Sequence, residues 1–403
     1  MSSLSRLTVI ISAVAGLSVL NACAGPGTGA TSSARNTAHS EQRAATAFRL
    51  TTGAADGDRH ASAVSAGDVE VAGGKISSVA LTTGRGRPVR GTVTADHRHW
   101  SPDADLAYGT TYLLVVRASD DAGRARTGQL SFTTLAKDQR LIGVFTPEDG
   151  STVGVGMPVS VTFNKPVADK KAVQRGIRVT DDSGQQVVGH WFGDQRLDLR
   201  PQKYWKARTR VTLSLHLNGV KGAPDAYGTQ EKTIRFTIGR RQVSTVDVAS
   251  HTMRVVRDGR TVRTVPITSG APGRTTYNGQ MVISEKLRST RMDGATVGYA
   301  GEYDIPDVPH AMRLSTSGTF IHGNYWAPDS VFGHSDVSHG CVGLDDVRGG
   351  GDPAQDAAWF YDNSLTGDVV VVEHSHDHTI APDNGLNGWN MSWRQWRAGS
   401  ALG

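Results

Sequence analysis

Cysteine is nearly missing from this chain: two in 403 residues, which excludes a disulfide framework, and their spacing excludes a CxxC zinc ribbon. Aromatic residues are also scarce, at 6%. Past the first 23 residues, no stretch approaches the roughly 18 apolar residues that cross a bilayer as a helix. Neither sign of charge dominates: 43 basic against 38 acidic residues leave +5, with no basic block, which argues against a nucleic-acid partner. Glycine is plentiful, at 47 residues, and the Gly/Thr/Val richness favours many short strands and turns over a helical bundle. The length predicts two to four domains.

The N-terminus places Arg6 before an apolar run from Leu7 to Leu20, followed by small residues and Cys23. That layout is a secretory signal with its cleavage region. Leu20-Asn21-Ala22-Cys23 resembles a bacterial lipobox, in which the cysteine is lipidated and becomes the mature N-terminus. An ordinary signal peptide with an incidental Cys23 is the plainer alternative. Residues 1–22 are therefore expected to be removed, and 23–47 to form a lipid-anchored flexible tether with almost no large apolar side chains. The expected location is the outer face of the cell membrane, facing the cell wall.

Two segments follow with strand-like alternation and turns every 8–12 residues, a sandwich signature. In 48–137 the strands are read at Val69–Val71, Ile76–Leu81, Tyr112–Val116 and Leu130–Phe132. In 138–239 a related plan recurs at Val159–Phe163, Thr209–Leu213 and Ile234–Ile238. Thr146-Pro-Glu-Asp-Gly150 and Asn164-Lys-Pro166 there resemble bacterial Ig-like domains. Neither segment holds a convincing catalytic set, so both read as spacers. From 240 to 374 further strands are expected at 243–248, 253–257, 261–268, 319–321 and 369–372, with a helix at Ala354–Tyr361; 375–403 follows as a docking extension.

Cys341 stands in Ser338-His339-Gly340-Cys341, fifteen residues after His322-Gly323. An imidazole that takes the thiol's proton makes cysteine a nucleophile, and Gly340 lets backbone N–H groups approach an oxyanion. This pattern, with the paired Ig-like modules, the Trp359-Phe360-Tyr361-Asp362 segment and the C-terminal Trp-rich tail, resembles the multidomain YkuD-type L,D-transpeptidases of mycobacteria and related actinobacteria. The resemblance implies a mainly β fold: two Ig-like β-sandwich modules, a β-rich catalytic domain and a short Trp-rich extension. It implies 3→3 cross-linking of peptidoglycan stem peptides, donor and acceptor, through a Cys341 thioester, with no cofactor or metal and with carbapenems as inhibitors. On that template His339 is the general base, and a carbonyl near Gly323 orients its other nitrogen. His322 and Gly340 complete the catalytic set. Tyr303 is the lid tyrosine, Met292 lines the substrate, and Ser338 and Gly343 border it. Hydrolysis of the same stem by an L,D-carboxypeptidase, or a non-catalytic wall-binding lipoprotein, are the competing readings.

Three departures from the family stand out. Its usual pair after the cysteine is a small apolar residue and Asn; here Val342 precedes Gly343, which removes a side-chain amide. A second lid tyrosine is replaced near Val297. Leu344–Pro353 reads as a Gly-rich inserted loop, mobile beside the cleft, with Asp345 and Asp346 as solvated acids. A zinc site of His322, His334, His339 and Cys341 has unusual spacing. His374, His376 and His378 read as surface histidines. Trp389, Trp393 and Trp396 fall on one helical face as packing anchors.

Overall fold

The computed structural model describes residues 46–403. The expected signal peptide, Cys23 and most of the tether lie outside the described residues. Two compact units divide at Arg140 and Leu141.

The first unit is a sandwich of two four-stranded sheets. One holds Arg49–Thr52, Val69–Ala72, His99–Pro102 and Gly91–Val93; the other Pro88–Val89, Gly74–Thr83, Thr111–Asp120 and Ala125–Thr133. Strand alternation makes this core. Along Thr111–Asp120 every second residue (Tyr112, Leu114, Val116, Ala118) turns inward to meet Trp100, Leu81 and Phe132.

The second unit begins with another sandwich. Gly143–Thr146, Val159–Phe163, Arg196–Pro201 and Val187–Phe192 form one sheet; Thr152–Val153, Glu231–Ile238, Arg210–His216 and Ile177–Asp181 form the other. Trp205, Phe163, Leu197 and Leu213 fill the space between them. Two further sheets follow. The five-stranded one runs Arg260–Pro266, Thr252–Arg257, Gln242–Asp247, Val369–Glu373, Gly279–Val282. Its Val369–Glu373 strand lies parallel to Gln242–Asp247 and is buried on both sides for most of its length, which explains its unbroken run of valines. The four-stranded sheet runs Glu285–Asp293, Asp304–Arg313, Phe320–Gly323, Val342–Leu344. Helix Asp356–Asp362 packs Ala357 and Phe360 into the core with Ile321, Val342, Leu344 and Val370.

The last residues bind back to the sandwich of the same unit. Arg200, 2% exposed, places its guanidinium over the rings of Trp389, Trp393 and Trp396, 4.4, 5.6 and 4.1 Å from their centroids. The helical face expected for these tryptophans is not one helix. Trp389 sits in a 3₁₀ turn, Met391 is extended, and the α-helix spans Trp393–Ala398. Ser392 caps that helix with Gln395 in a reciprocal capping box, so its first turn starts there and cannot continue the turn before it.

Candidate active site

The residues of the motif stand where two short strands run side by side. Phe320–Gly323 pairs in parallel with Val342–Leu344, placing Ile321 opposite Val342 and His322 opposite Gly343. Ile321 and Val342 point into the core, fully buried. Alternation then sends His322, Gly343 and, one step back, Cys341 to the opposite face. The cysteine and the upstream histidine of the sequence motif therefore share one face of the strand pair. On its far side Gly343 exchanges both backbone hydrogen bonds with Thr268, at 2.9 and 3.0 Å.

His322 is 4% exposed, and its Nδ1 lies 2.9 Å from the Gly323 carbonyl. A carbonyl only accepts, so Nδ1 carries the proton and Nε2 keeps its lone pair. Burial pulls the imidazole below its ordinary value, against the opposing pulls of the Gly323 carbonyl and Asp346. Trp326 stacks on the ring at 5.6 Å. The carbonyl near Gly323 thus orients His322, not His339 as the resemblance implies.

Cys341 is half-buried, and its sulfur lies 3.6 Å from the Gly318 carbonyl. Burial pushes the thiol up to about 11, against a hydrogen bond from the Phe320 backbone. Gly340 holds φ at +110°, a conformation that favours glycine. Ser338 is spent inside the loop: its hydroxyl donates to the Cys341 carbonyl at 2.6 Å and accepts from the Gly340 N–H at 3.1 Å. Both bonds hold the backbone on either side of Cys341.

His339 faces elsewhere. Its Nε2 lies 2.8 Å from Arg274 Nη1 and 3.0 Å from Glu302 Oε2, and Arg274 and Glu302 also pair with each other. Whether that nitrogen accepts from the guanidinium or, protonated, donates to the carboxylate, it is held by this pair. Glu302 belongs to the connection between Glu285–Asp293 and Asp304–Arg313. The same connection brings Tyr299 and Tyr303 against the His339 ring, at 5.2 and 4.8 Å. Two tyrosines of this connection, one of them two residues after Val297, thus border the His339 ring. Val297 itself packs where a side chain on Gly318 would stand, next to the carbonyl that meets the thiol. Burial, with the Cys341 charge adding, raises the Tyr303 phenol to about 12, so it stays protonated. Met292 lies in the strand before this connection, opposite Ile305.

Leu344–Pro353 is anchored at its start rather than a free loop. Leu344 is fully buried, and Asp346, 5% exposed, accepts from the buried His310 ring at 2.7 Å. Gly323 leaves room for that carboxylate: a Cβ there would fall 2.1 Å from Asp346 Oδ2. Asp346 is no solvated acid, because the strand pairing carries it inward behind His322. Nothing in the sequence marked the His310–Asp346 pair. Elsewhere, His374 Nδ1 meets Asp247 at 2.8 Å, and with Glu373 these form a group of ligand-type atoms on an exposed edge.

Comparison with known proteins decides the family. Residues 241–372 match the model of the L,D-transpeptidase catalytic domain, and residues 58–221 that of a bacterial Ig domain. L,D-transpeptidase 5 of Mycobacterium tuberculosis is 32% identical over 403 residues, covering 98% of this chain and 84% of the relative. L,D-transpeptidase 2 of the same species is 31% identical over 338 residues, covering 83% and 80%. The chain belongs to the L,D-transpeptidase family. A solved L,D-transpeptidase in complex with imipenem is 30% identical and covers 57% of this chain and 97% of its own, at a TM-score of 0.48. In this L,D-transpeptidase, Ig-like sandwiches precede the catalytic domain, as the resemblance implied.

Proposed function

We propose that this transpeptidase forms 3→3 cross-links between peptidoglycan stems through a thioester on Cys341, with His322 as general base. The observation that carries the reading is the locked tautomer of His322: a lone pair on Nε2, on the face that the strand register gives to Cys341. The resting pair is neutral. Its thiol is raised and its imidazole lowered, so the proton leaves as the sulfur attacks and not beforehand.

Sγ adds to the carbonyl joining the third and fourth stem residues, and its proton passes to His322. The Cys341 N–H serves the oxyanion, since the Gly340 N–H is taken by Ser338. The C–N bond breaks, and the terminal D-amino acid leaves with the proton from His322. An acceptor amine then attacks the thioester, gives its proton to the same nitrogen and restores the thiol. The lipid anchor at Cys23 and the signal peptide before it belong to this proposal, as do Tyr303 and Met292 as substrate-lining residues.

Intact mass after incubation with a carbapenem tests the nucleophile. A one-drug adduct lost in Cys341→Ala supports it, and an adduct retained in that variant overturns it. Disaccharide-tetrapeptide products separate transfer from hydrolysis: a cross-linked dimer supports the proposal, and tripeptide alone makes the enzyme an L,D-carboxypeptidase.

A further inference from the structure

Asn324 follows His322 by two positions, so the two side chains share a face, and Asn324 is only 3% exposed. Its backbone N–H extends the ladder to the Leu344 carbonyl at 2.8 Å. The side-chain oxygen accepts from the Ala327 N–H at 3.2 Å, which fixes the orientation of the amide. The nitrogen at the other end donates to no protein acceptor among the described residues and keeps contact with solvent. A donor on a buried side chain, paired only with solvent, is open to an acceptor that a ligand brings.

Gly343 leaves space beside the amide. A Cβ at 343 would lie 3.2 Å from Asn324 Nδ2, 3.4 Å from Asn324 Cβ and 2.7 Å from Thr268 Cγ2. The family's amide after the cysteine is missing from the sequence at this position, and another amide from the neighbouring strand borders the same space. We propose that Asn324 is a substrate-binding residue whose Nδ2 holds a backbone carbonyl of the donor stem. An Nδ2–H can only donate, and peptide carbonyls are the acceptors that a stem offers. Gly343 lies two residues beyond Cys341, roughly 6–7 Å along the strand. That distance places the contact one or two peptide units away from the carbonyl under attack, so Asn324 positions the stem and takes no part in the oxyanion.

The inference rests on Cys341 as nucleophile, and its test separates the two. Asn324→Leu removes the donor, and Asn324→Asp removes it while keeping the acceptor for Ala327. Steady-state kinetics on a disaccharide-tetrapeptide donor should show KM raised roughly 5- to 10-fold, the worth of one neutral hydrogen bond, with kcat within about twofold. The pH profile of iodoacetamide alkylation at Cys341 should stay unchanged in Asn324→Leu, since a small alkylator needs no stem carbonyl. An unaltered KM overturns the proposal. So does a fall in kcat that follows the melting temperature and the alkylation rate, because a merely structural residue behaves that way. Product formation that survives Cys341→Ala overturns the catalytic reading beneath it.

Discussion

Two histidines precede Cys341 in sequence, and their surroundings differ. His322 is buried with its Nδ1 proton committed to a carbonyl; His339 is tied to an ion pair. His322→Gln should therefore lower kcat by about 10²–10⁴, the usual worth of a general base. His339→Gln should cost less than tenfold in kcat, its effect appearing in KM. Equal losses in steady-state assays would mean that the base is misassigned. Protonating His322 abolishes the base, and its folded value is depressed, so activity should persist below the ordinary histidine midpoint of about 6.5 before it falls with acid. A kcat/KM profile whose acid limb lies above that midpoint would contradict the buried imidazole. The same scale governs Gly343: Gly343→Asn would press on Thr268 and Asn324 and should destabilise by about 1–3 kcal/mol, read by denaturant melts. The roles proposed for Cys341, Gly340 and His322 start from residue types and spacing that the sequence itself displays. Which histidine is better placed to serve as the proposed base could not be read there, for it depends on whether a carbonyl or an ion pair meets the ring. Asp346 was misread for a similar reason: a loop acid and a buried partner of His310 look alike until the backbone is placed.

The strand pair that carries Tyr299 and Tyr303 on its connection is the element that sequence patterning missed. Its strands, Glu285–Asp293 and Asp304–Arg313, pair over nearly their whole length, yet the first reads EKLRSTRMD and has no fully buried residue. Without a period-two apolar face, and with a register shift between Thr290 and Met292, it carries no strand signal. The strands at 369–372 and 319–321 were legible because burial leaves runs of apolar residues. Arg274, Glu302 and His339 tie this connection to the loop before Cys341, and the two charged ends are about a third exposed. Exposed pairs are worth at most about 1 kcal/mol each. Glu302→Gln should thus loosen the connection without unfolding it, raising the alkylation rate of Cys341 up to about fivefold. High salt should do the same to the parent chain by screening the pair, and should add little in the variant. Alkylation that ignores both salt and the substitution would show that this contact does not gate the thiol.

Across residues 141–403 the tail joins the sandwich to the catalytic sheets. Trp389 donates its indole N–H to the Gly156 carbonyl at 2.7 Å, and Trp396 to the Val188 carbonyl at 2.9 Å. Val282 of the catalytic sheet lies in the same apolar cluster as Trp389 and the sandwich core. The sequence showed the tryptophans to be anchors, but their centre is Arg200, a charge set within a strand more than 180 residues earlier. Its guanidinium has no carboxylate partner among the described residues and donates to the carbonyls of Pro201, Gln202, Gly388 and Met391. Burial lowers it to about 10, which still leaves it charged at neutral pH. A planar fork between indole rings can serve these carbonyls at once, and a lysine ammonium cannot. Arg200→Lys should therefore destabilise the 141–403 unit despite keeping the charge. Trp396→Ala, which empties a fully buried indole site, should cost about 3–5 kcal/mol. Both losses should appear in the same calorimetric transition and, because they share one contact, add to less than their sum in the double variant. Full additivity would mean that the arginine and the tryptophan act on separate parts of the joint, and that the cage is not what binds the tail.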